Sequence, residues 1–264
     1  MIRDITIGQY YSSNSRIHDL DPRTKLMGTL VYIIVLFVVR NPVWYLMCLA
    51  VLLVLYKMAQ VPYSYLLKGL KGIIILLVFT FFFRMICTPG NEIAKVWIFS
   101  ITEEGIYKAI KMTSRIALMI TGAALLSYTT TPRKMADGLE KSFRFLEKIK
   151  IPVQEMAVIV MIAFRFIPIM IEELNDLMDA QAARGVEFEH CSVVKKCKNV
   201  FSLLFPLFLN TVRRAADLAM AMEARGYSGE RETTKMYPLV YKKIDKIAYI
   251  IMGIYLVVSF LFVC

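Results

Sequence analysis

The sequence lacks the residue patterns that most catalytic and metal-binding sites require. It has only two histidines, and its five cysteines form no Cys-x-x-Cys pair, so a zinc site and a disulfide framework are both poorly supported. No Gly-x-x-x-x-Gly-Lys-Ser/Thr loop is present, which excludes nucleotide binding in the P-loop manner. We therefore expect no catalytic residue, no metal and no cofactor. The nearest approach to a ligand cluster is His190 and Cys191 with Cys197, which we interpret as ordinary interfacial residues.

The composition indicates a membrane protein without a cleavable secretory signal. Residues 1–21 contain Asp4, His18, Asp19 and Asp21 and no apolar core stretch, so a signal peptide is not expected. Hydrophobic residues make up 58% of the 264 residues, and the mean hydropathy is +0.56. A soluble domain has an apolar share of about 45–50%. Charged residues still reach 20%, so a substantial polar part is expected outside the lipid.

Five apolar runs are candidates for membrane-spanning helices. The first two, 26–39 and 43–56, hold about 14 residues each, fewer than the roughly 20 that a straight crossing of the hydrocarbon needs. Pro42 lies between them and biases Asn41 away from helix. A tight transmembrane hairpin is our preferred interpretation, and a bent, buried helix pair is the alternative. The remaining runs are 69–87, 105–128 and 247–264.

Positive charge near these runs predicts their orientation. Arg23 and Lys25 precede the first run and the segment 129–243 is rich in Lys and Arg, whereas the loop 88–104 carries three Glu against one Lys. By the positive-inside rule, the N-terminus and the segment 129–243 face the cytoplasm, and Cys264 lies near the outer face. The predicted parts are 1–128 with four spans, the cytoplasmic region 129–243, and 244–264 with the last span.

A short amphipathic helix opens the cytoplasmic region. Thr131 is predicted as its N-cap and Pro132 as its first residue, where the missing backbone donor costs nothing. Apolar residues then recur at spacings of three and four, as they do on one face of a helix. These residues are Met135, Leu139, Phe143 and Leu146. The pattern predicts a helix that lies along the membrane or under other helices.

Two long helices follow, at about 153–183 and 192–224, and each changes from apolar to charged along its length. For the first of them, a sixth span at 156–171 is the alternative. The central Arg165 opposes that alternative, because an arginine at the centre of a span costs about 2.5–3.5 kcal/mol on insertion scales. We therefore predict one long helix that is apolar at its start and solvated at its end.

A ten-residue pattern, Asp-Leu-x-x-Ala-x-x-Ala-Arg-Gly, occurs at 176–185 and again at 217–226. Glycine can take the left-handed conformation that ends a helix, and an arginine in the last turn meets the negative end of the helix dipole. Capping alone would explain one copy. It does not explain why Asp176 and Asp217 recur eight residues before the arginine. The duplication therefore indicates two similar docking surfaces.

Further motifs join this pattern to make a resemblance that covers nearly the whole chain. They are Gly8-Gln9-Tyr10, Ser15, His18, Leu20-Asp21-Pro22-Arg23-Thr24-Lys25, Thr130-Thr131-Pro132, Arg165-Phe166-Ile167-Pro168 and the two Ala-Arg-Gly tips. With them the chain resembles the transmembrane T component of energy-coupling factor transporters, a family that also includes the cobalt-transport Q subunits. The tips are the most specific of these motifs.

The resemblance implies an all-α integral membrane protein with about five transmembrane helices and three coupling helices in an L-shaped arrangement. It implies a non-catalytic, multi-pass subunit of an importer for vitamins or transition metals in a bacterial or archaeal cell membrane. Two ATP-binding cassette ATPases, of the EcfA and EcfA′ type, would each receive one tip, and a separate membrane subunit, the S component, would hold the solute. The tip residues are Ala183, Arg184 and Gly185, and Ala224, Arg225 and Gly226.

The apolar faces of the two long helices are a candidate surface for the S component. Bulky side chains and adaptable methionines suit a subunit that docks several different partners. Packing of these side chains on one another or on lipid is the alternative. The residues are Phe164, Ile167, Met170, Phe201, Leu204, Phe205 and Phe208.

The formal net charge of +11 predicts membrane lipid as a partner and no nucleic acid. The Lys and Arg flank membrane runs, where anionic inner-leaflet lipid attracts each of them by about 1 kcal/mol. Two other functional classes stay open. A secondary transporter or channel would need paired ionisable groups or broken helices near the midplane, and the sequence has no matched pair. A passive anchor for a soluble enzyme would explain the long helices but not their duplication.

Overall fold

The computed structural model describes residues 10–39, 41–88, 92–96, 99–186, 193–228 and 239–261. These residues are predominantly helical. In chain order the elements are α1 (Pro22–Val38), α2 (Pro42–Met58), α3 (Tyr63–Lys71), α4 (Ile74–Cys87), β1 (Glu92–Val96), β2 (Phe99–Thr102), α5 (Glu103–Thr129), α6 (Pro132–Phe143), a 3₁₀ helix (Arg144–Ile149), α7 (Val153–Ala183), α8 (Val193–Ala224) and α9 (Lys243–Leu261).

The chain divides into two compact units. The core unit comprises residues 8–141 and 239–264, and the arm unit comprises residues 142–238 together with 1–7. The core unit therefore holds α1 to α5, most of α6, both strands and α9. The arm unit holds the 3₁₀ helix, α7 and α8.

Buried tyrosines lie at the centre of the core unit. Tyr56 and Tyr128 are among its largest fully buried side chains. The Tyr56 hydroxyl donates to the carbonyl of Thr121 at 3.1 Å, and the Tyr128 hydroxyl donates to the carbonyl of Tyr65 at 3.2 Å. An unpaired hydroxyl in an apolar interior is costly, so these hydrogen bonds allow large aromatic rings to fill the space between the helices.

Two glycines permit close helix approaches in the core unit. A β-carbon on Gly122 of α5 would lie 2.6 Å from Cε1 of the Tyr32 ring on α1. A β-carbon on Gly138 of α6 would lie 2.9 Å from Cβ of Pro22 at the start of α1. Because packed carbon atoms stay about 3.5–4.0 Å apart, a larger residue at either position would push the two helices away from each other.

The length criterion for a membrane span is met by fewer helices than the sequence predicts. Among the described residues, α5 and α9 are long and apolar enough to cross, and α3 with α4 makes a third if that bent pair is one span. α1 and α2 have 17 residues each, which is short for a straight crossing. By this criterion the described residues contain two or three candidate spans, fewer than the five predicted from apolar runs.

The predicted run 69–87 is not one helix. α3 ends at Lys71 with Gly72 as its C-cap, and Ile73 leaves the helical region at φ −120° and ψ 2° before α4 begins. The axes of α3 and α4 are bent by 64°. Glycine is a weak helix former, which accounts for a break at this position inside an otherwise apolar run.

The loop 88–104 contains an antiparallel β-hairpin, an addition to the predicted all-α architecture. β1 pairs with β2, with Lys95 opposite Ser100. Thr102 closes the base of the hairpin, because its hydroxyl donates to the carbonyl of Thr88 at 2.9 Å and accepts from the N–H of Gly105 at 3.0 Å. The second contact makes Thr102 the N-cap of α5.

The amphipathic helix is shorter than its apolar pattern predicts. α6 begins at Pro132, as predicted, but ends at Phe143, and residues Arg144–Ile149 form a 3₁₀ helix. Leu146 therefore lies in the 3₁₀ helix and not in α6, so the predicted extent of the amphipathic helix is wrong. Lys150 then takes a left-handed φ of 64°, which ends the 3₁₀ helix before Pro152 and α7.

The two long helices of the arm unit confirm the prediction from sequence. α7 spans Val153–Ala183 and α8 spans Val193–Ala224, within one residue of the predicted bounds. Each contains an internal proline, Pro168 or Pro206, without ending there. α7 is therefore one continuous helix, as the position of Arg165 had favoured.

Candidate functional site

The first Ala-Arg-Gly tip ends α7 in a hydrogen-bonded cap. Arg184 is the C-cap residue, and Gly185 follows it with a left-handed φ of 85°. The N–H of Gly185 donates to the carbonyl of Ala182 at 2.9 Å, and the N–H of Val186 donates to the carbonyl of Gln181 at 3.1 Å. These two bonds form a Schellman motif, which satisfies carbonyls that the helix end would otherwise leave free.

The second tip repeats that geometry at the end of α8. Gly226 has a left-handed φ of 79°. Its N–H donates to the carbonyl of Glu223 at 2.9 Å, and the N–H of Tyr227 donates to the carbonyl of Met222 at 3.0 Å. The prediction that both glycines end their helices in the left-handed conformation is confirmed. Both arginines are therefore held at the same place on the same kind of helix terminus.

Both tips are open to their surroundings. Ala183, Arg184 and Gly185 are exposed, as are the corresponding residues 224–226. Within the part of the chain that the structure describes, neither guanidinium has a hydrogen-bond or ion-pair partner. A β-carbon built on either glycine would meet nothing within 4 Å. Toward the described residues, the five N–H donors of each arginine are therefore unused.

The two aspartates of the repeated pattern lie apart from the tips. Asp176 and Asp217 are exposed on their helices, and the eight residues between each aspartate and its arginine correspond to about 12 Å of helix. Asp176 instead lines a cleft between α7 and α8 that also contains Arg214. The structure therefore does not bring either aspartate to the arginine of its own tip.

α7 and α8 meet at a polar contact that the sequence analysis did not predict. The carboxylate of Glu173 on α7 accepts a hydrogen bond from Nδ2 of Asn210 at 2.6 Å and lies 3.3 Å from Nε of Arg214. One turn earlier, the hydroxyl of Thr211 lies 3.0 Å from Sδ of Met170. The available signal was the repeat itself, because Met170 and Thr211 are 41 positions apart, the offset of the duplicated pattern.

The proposed S-component surface is only partly a continuous exposed face. The α8 residues are the more exposed, with Phe201 at 71%, Phe208 at 65% and Phe205 at 62%. On α7, Ile167 is exposed, whereas Phe164 and Met170 are half-buried. Leu204 is also exposed on α8. The apolar surface that is free in this unit therefore belongs mainly to α8.

No group of three or more metal-ligating side chains occurs among the residues that the structure describes. His190 and Cys191 lie outside the described residues, and the side chain of Cys197 lies outside them as well. Their interpretation as ordinary interfacial residues stays a prediction.

Comparison with known proteins gives the family. The family model for the cobalt transport protein, CbiQ, matches residues 13–236. The energy-coupling factor transporter transmembrane protein EcfT of Acidaminococcus fermentans is 37% identical over 262 residues, covering 99% of this chain and 98% of that protein. This chain belongs to the CbiQ and EcfT family. It is a transmembrane component of energy-coupling factor transporters and lies in a membrane.

Other EcfT proteins match over nearly their whole length. The protein of Ruminiclostridium cellulolyticum is 40% identical over 245 residues, which cover 93% of this chain and 92% of that protein. The protein of Bacillus subtilis strain 168 is 38% identical over 242 residues, which cover 91% of both. These relatives are named as transporter transmembrane components and not as enzymes.

His18 and its neighbours in the N-terminal segment form a hydrogen-bond network in the core unit. Nε2 of His18 donates to the carbonyl of Tyr11 at 2.9 Å, since a carbonyl can only accept. Nδ1 is then left to accept from the hydroxyl of Ser15 at 2.8 Å. Burial lowers the pKa of His18, while the Tyr11 carbonyl opposes that shift. The two hydrogen bonds select one tautomer of the neutral imidazole, with its proton on Nε2.

Lys25 and Asp21 of the same segment join α1 to distant parts of the core unit. The ammonium of Lys25 is buried and donates to the carbonyl of Thr129 at 2.9 Å. The backbone N–H of Asp21 donates to the carboxylate of Asp245 at 2.9 Å. Asp245 is fully buried at the start of α9, and sequence reasoning missed it because its partner is remote in the chain. The segment thus fixes the junction of α1, α5 and α9.

Proposed function

We propose that this chain is the non-catalytic coupling subunit of an energy-coupling factor importer, carrying ATP-driven movement from two ATP-binding cassette ATPases to a solute-binding S component. The observation that carries the proposal is the pair of matching, exposed Ala-Arg-Gly tips. Each would enter a groove on one ATPase. Movement of an ATPase would then displace the helix end that it holds.

The chemistry of the tips suits such a docking role. An arginine without a partner can bind a carboxylate with two parallel hydrogen bonds, which fixes orientation as well as position. The small side chains of Ala183 and Ala224 keep the helix ends narrow enough for a groove. The Schellman motif already bonds the carbonyls of Gln181 and Ala182 at one tip and of Met222 and Glu223 at the other, so inserting the tip does not strand those four backbone groups.

The exposed apolar face of α8 supports a contact with the S component. Phe201, Leu204, Phe205 and Phe208 are all at least half exposed, and they recur at spacings of one, three and four residues on one helix. Burying such side chains is worth about 1.5–3 kcal/mol each, so a membrane subunit that covers them would be held firmly. Ile167, Phe164 and Met170 on α7 would contribute less, because they are more buried.

The orientation follows from the charge distribution. With the N-terminus and residues 129–243 in the cytoplasm, both tips face the compartment that supplies ATP. The surplus of Lys and Arg would hold the cytoplasmic helices against anionic lipid. ATP hydrolysis would belong to the partner ATPases, and the solute, a vitamin or a transition metal ion, to the S component.

Charge reversal at the tips tests the proposal. The variants Arg184→Glu, Arg225→Glu and their combination would be purified from native membranes, and the ATPases that co-purify and the solute taken up would be measured. We expect each single variant to lose one ATPase or to uncouple uptake from ATP hydrolysis, with the membrane part still folded. Arg213→Glu, an exposed position on α8 before the repeated pattern, is the matched control and should behave like wild type. Full uptake by the double variant would disprove the proposal.

A further inference from the structure

Two contacts between α7 and α8 join positions that are equivalent in the two arms. Met170 meets Thr211 at 3.0 Å, and these residues are 41 positions apart. Glu173 meets Arg214 at 3.3 Å, again with an offset of 41. The same offset aligns Asp176 with Asp217 and Arg184 with Arg225 in the sequence. Both contacts therefore join a residue of α7 to its counterpart in the repeat on α8.

This relation makes the two arms equal in length beyond the crossing. Arg184 lies eleven positions after Glu173, and Arg225 lies eleven positions after Arg214. Both helices are continuous over these stretches, so each arm extends about 16 Å from the crossing to its tip. The position and angle of the crossing therefore set the positions of both tips at once.

The polar contact holds the crossing from both oxygens of one carboxylate. Oε1 of Glu173 accepts from Asn210 at 2.6 Å, and Oε2 faces the guanidinium of Arg214. Asn210 and Arg214 lie one turn apart on the same face of α8. Because Glu173 contacts side chains on two successive turns of α8, these contacts restrict both sliding and rotation of one helix on the other. The side chain of Glu173 is 12% exposed and that of Arg214 is 48% exposed, so solvent screens this ion pair in part.

Apolar packing does not close the space beside this contact. A cleft of about 440 Å³ opens between the two helices, and its walls include Glu172, Asp176 and Leu177 together with the contact residues. Because the helices do not interlock there, the crossing depends on the polar contact more than a closely packed helix pair would.

We propose that Glu173, Asn210 and Arg214 are positioning residues that pin the crossing of the two arms, so that a movement imposed on one tip is delivered to the rest of the pair. This inference rests on the proposed coupling function. It assigns no contact with ATP or solute to these residues. Loss of the pin would leave both tips able to dock but would let the arms slide or rotate on each other.

The test uses the whole transporter reconstituted in vesicles, and the ratio of ATP hydrolysed to solute taken up is the diagnostic quantity. Unfolded protein lowers hydrolysis and uptake together and leaves that ratio unchanged. For Arg214→Glu, and more mildly for Glu173→Gln, we expect both ATPases to co-purify while the ratio rises about two- to five-fold, the factor that a partly exposed ion pair can supply. The exchanged pair Glu173→Arg with Arg214→Glu should restore most of the uptake, because the attraction is re-formed.

Glu172→Gln is the matched control, since this exposed carboxylate lines the same cleft but is not part of the pin. It should keep the wild-type ratio. The proposed role of the three residues is wrong if Arg214→Glu leaves the ratio of ATP hydrolysed to solute taken up unchanged. It is also wrong if the exchanged pair takes up no more solute than the Arg214→Glu variant. Failure of the proposed function looks different, because the ATPases would then be missing from the purified wild-type complex.

Discussion

The backbone N–H of Asp21 donates to Oδ1 of Asp245 at 2.9 Å, across 224 positions of the chain. The other carboxylate oxygen of Asp245 accepts from the N–H of Lys242 at 2.8 Å, which caps the start of α9 as a capping-box residue does. The buried carboxylate of Asp245 therefore accepts from two backbone N–H groups that would otherwise be unpaired, that of Asp21 before α1 and that of Lys242 before α9. The contact ties the last helix of the core unit to the first.

Asp245→Ala should destabilise the protein by about 2–4 kcal/mol, the combined cost of a lost helix cap and a stranded buried donor. Asp245→Asn should cost less, because its amide oxygen still accepts from Asp21. The measurement is the fraction of monodisperse, detergent-solubilised protein after heating. Glu104→Ala is the control, since Glu104 is exposed and pairs with Lys108 one turn away. A loss no greater in Asp245→Ala than in Glu104→Ala would show that the Asp21 contact is not stabilising.

Gly122→Ala should destabilise the core unit by about 1–3 kcal/mol, the usual cost of overpacking a filled interior. Its β-carbon would lie 2.6 Å and 2.8 Å from two ring atoms of Tyr32, and a ring yields less readily than the end of a flexible chain. Heat-induced loss of folded protein in detergent measures the effect.

Gly253→Ala is the matched control for that prediction, because a β-carbon there would meet nothing within 4 Å and Gly253 lies inside α9. It should be neutral or slightly stabilising, since alanine favours helix more than glycine does. In the background of Tyr32→Ala, the cost of Gly122→Ala should largely disappear, as expected for two residues in contact. Equal costs with and without the Tyr32 ring would place the strain elsewhere.

The elements that sequence predicted best are those with local signals. Pro152 before α7 and the two Ala-Arg-Gly ends of α7 and α8 are start and stop signals that act within one or two turns, so the helix bounds were found to within a residue. The left-handed glycines followed from the same local chemistry.

What sequence could not predict depends on partners far away in the chain. Arg115 lies inside the apolar run 105–128, and its guanidinium donates to the hydroxyl of Tyr45 at 3.1 Å and to the carbonyl of Val39 at 3.2 Å. Asp245 gave no signal, because Asp21 is on the opposite end of the chain. The Glu173 and Arg214 pair could have been found, since opposite charges at the offset of the repeat predict a contact if the arms cross.

The stability of the core unit should fall on acidification through His18. Its pKa is lowered in the folded protein relative to the usual 6.5, so the unfolded chain binds the proton more readily. The stabilising contribution is therefore fully present above that usual value and is lost as the pH falls below it toward the folded pKa. Comparing unfolding temperatures at about pH 7.5 and about pH 5.5, we expect the wild type to lose more stability than His18→Gln.

The matched control for this pH dependence is His190→Gln, which removes the only other histidine. It should keep the wild-type loss of stability on acidification. If the acid sensitivity disappears in His190→Gln and persists in His18→Gln, the assignment to His18 is wrong.

Gly185→Ala and Gly226→Ala should impair coupling without unfolding the protein. Their φ values of 85° and 79° cost an L-residue about 1–2 kcal/mol, and nothing within 4 Å would obstruct the added carbon, so the strain is purely in the backbone. An exposed helix end relieves such strain by fraying, which would displace the arginine that precedes each glycine. We expect co-purified ATPase and solute uptake to fall in the order glycine, asparagine, alanine, because asparagine enters the left-handed region more readily than alanine. The unfolding temperature should change little. Gly72→Ala is the control, because Gly72 lies at a helix end with an ordinary φ of −65° and open space around it. This variant should retain full coupling. If the alanine tips couple as well as the glycine tips, the Schellman geometry does not position the arginines.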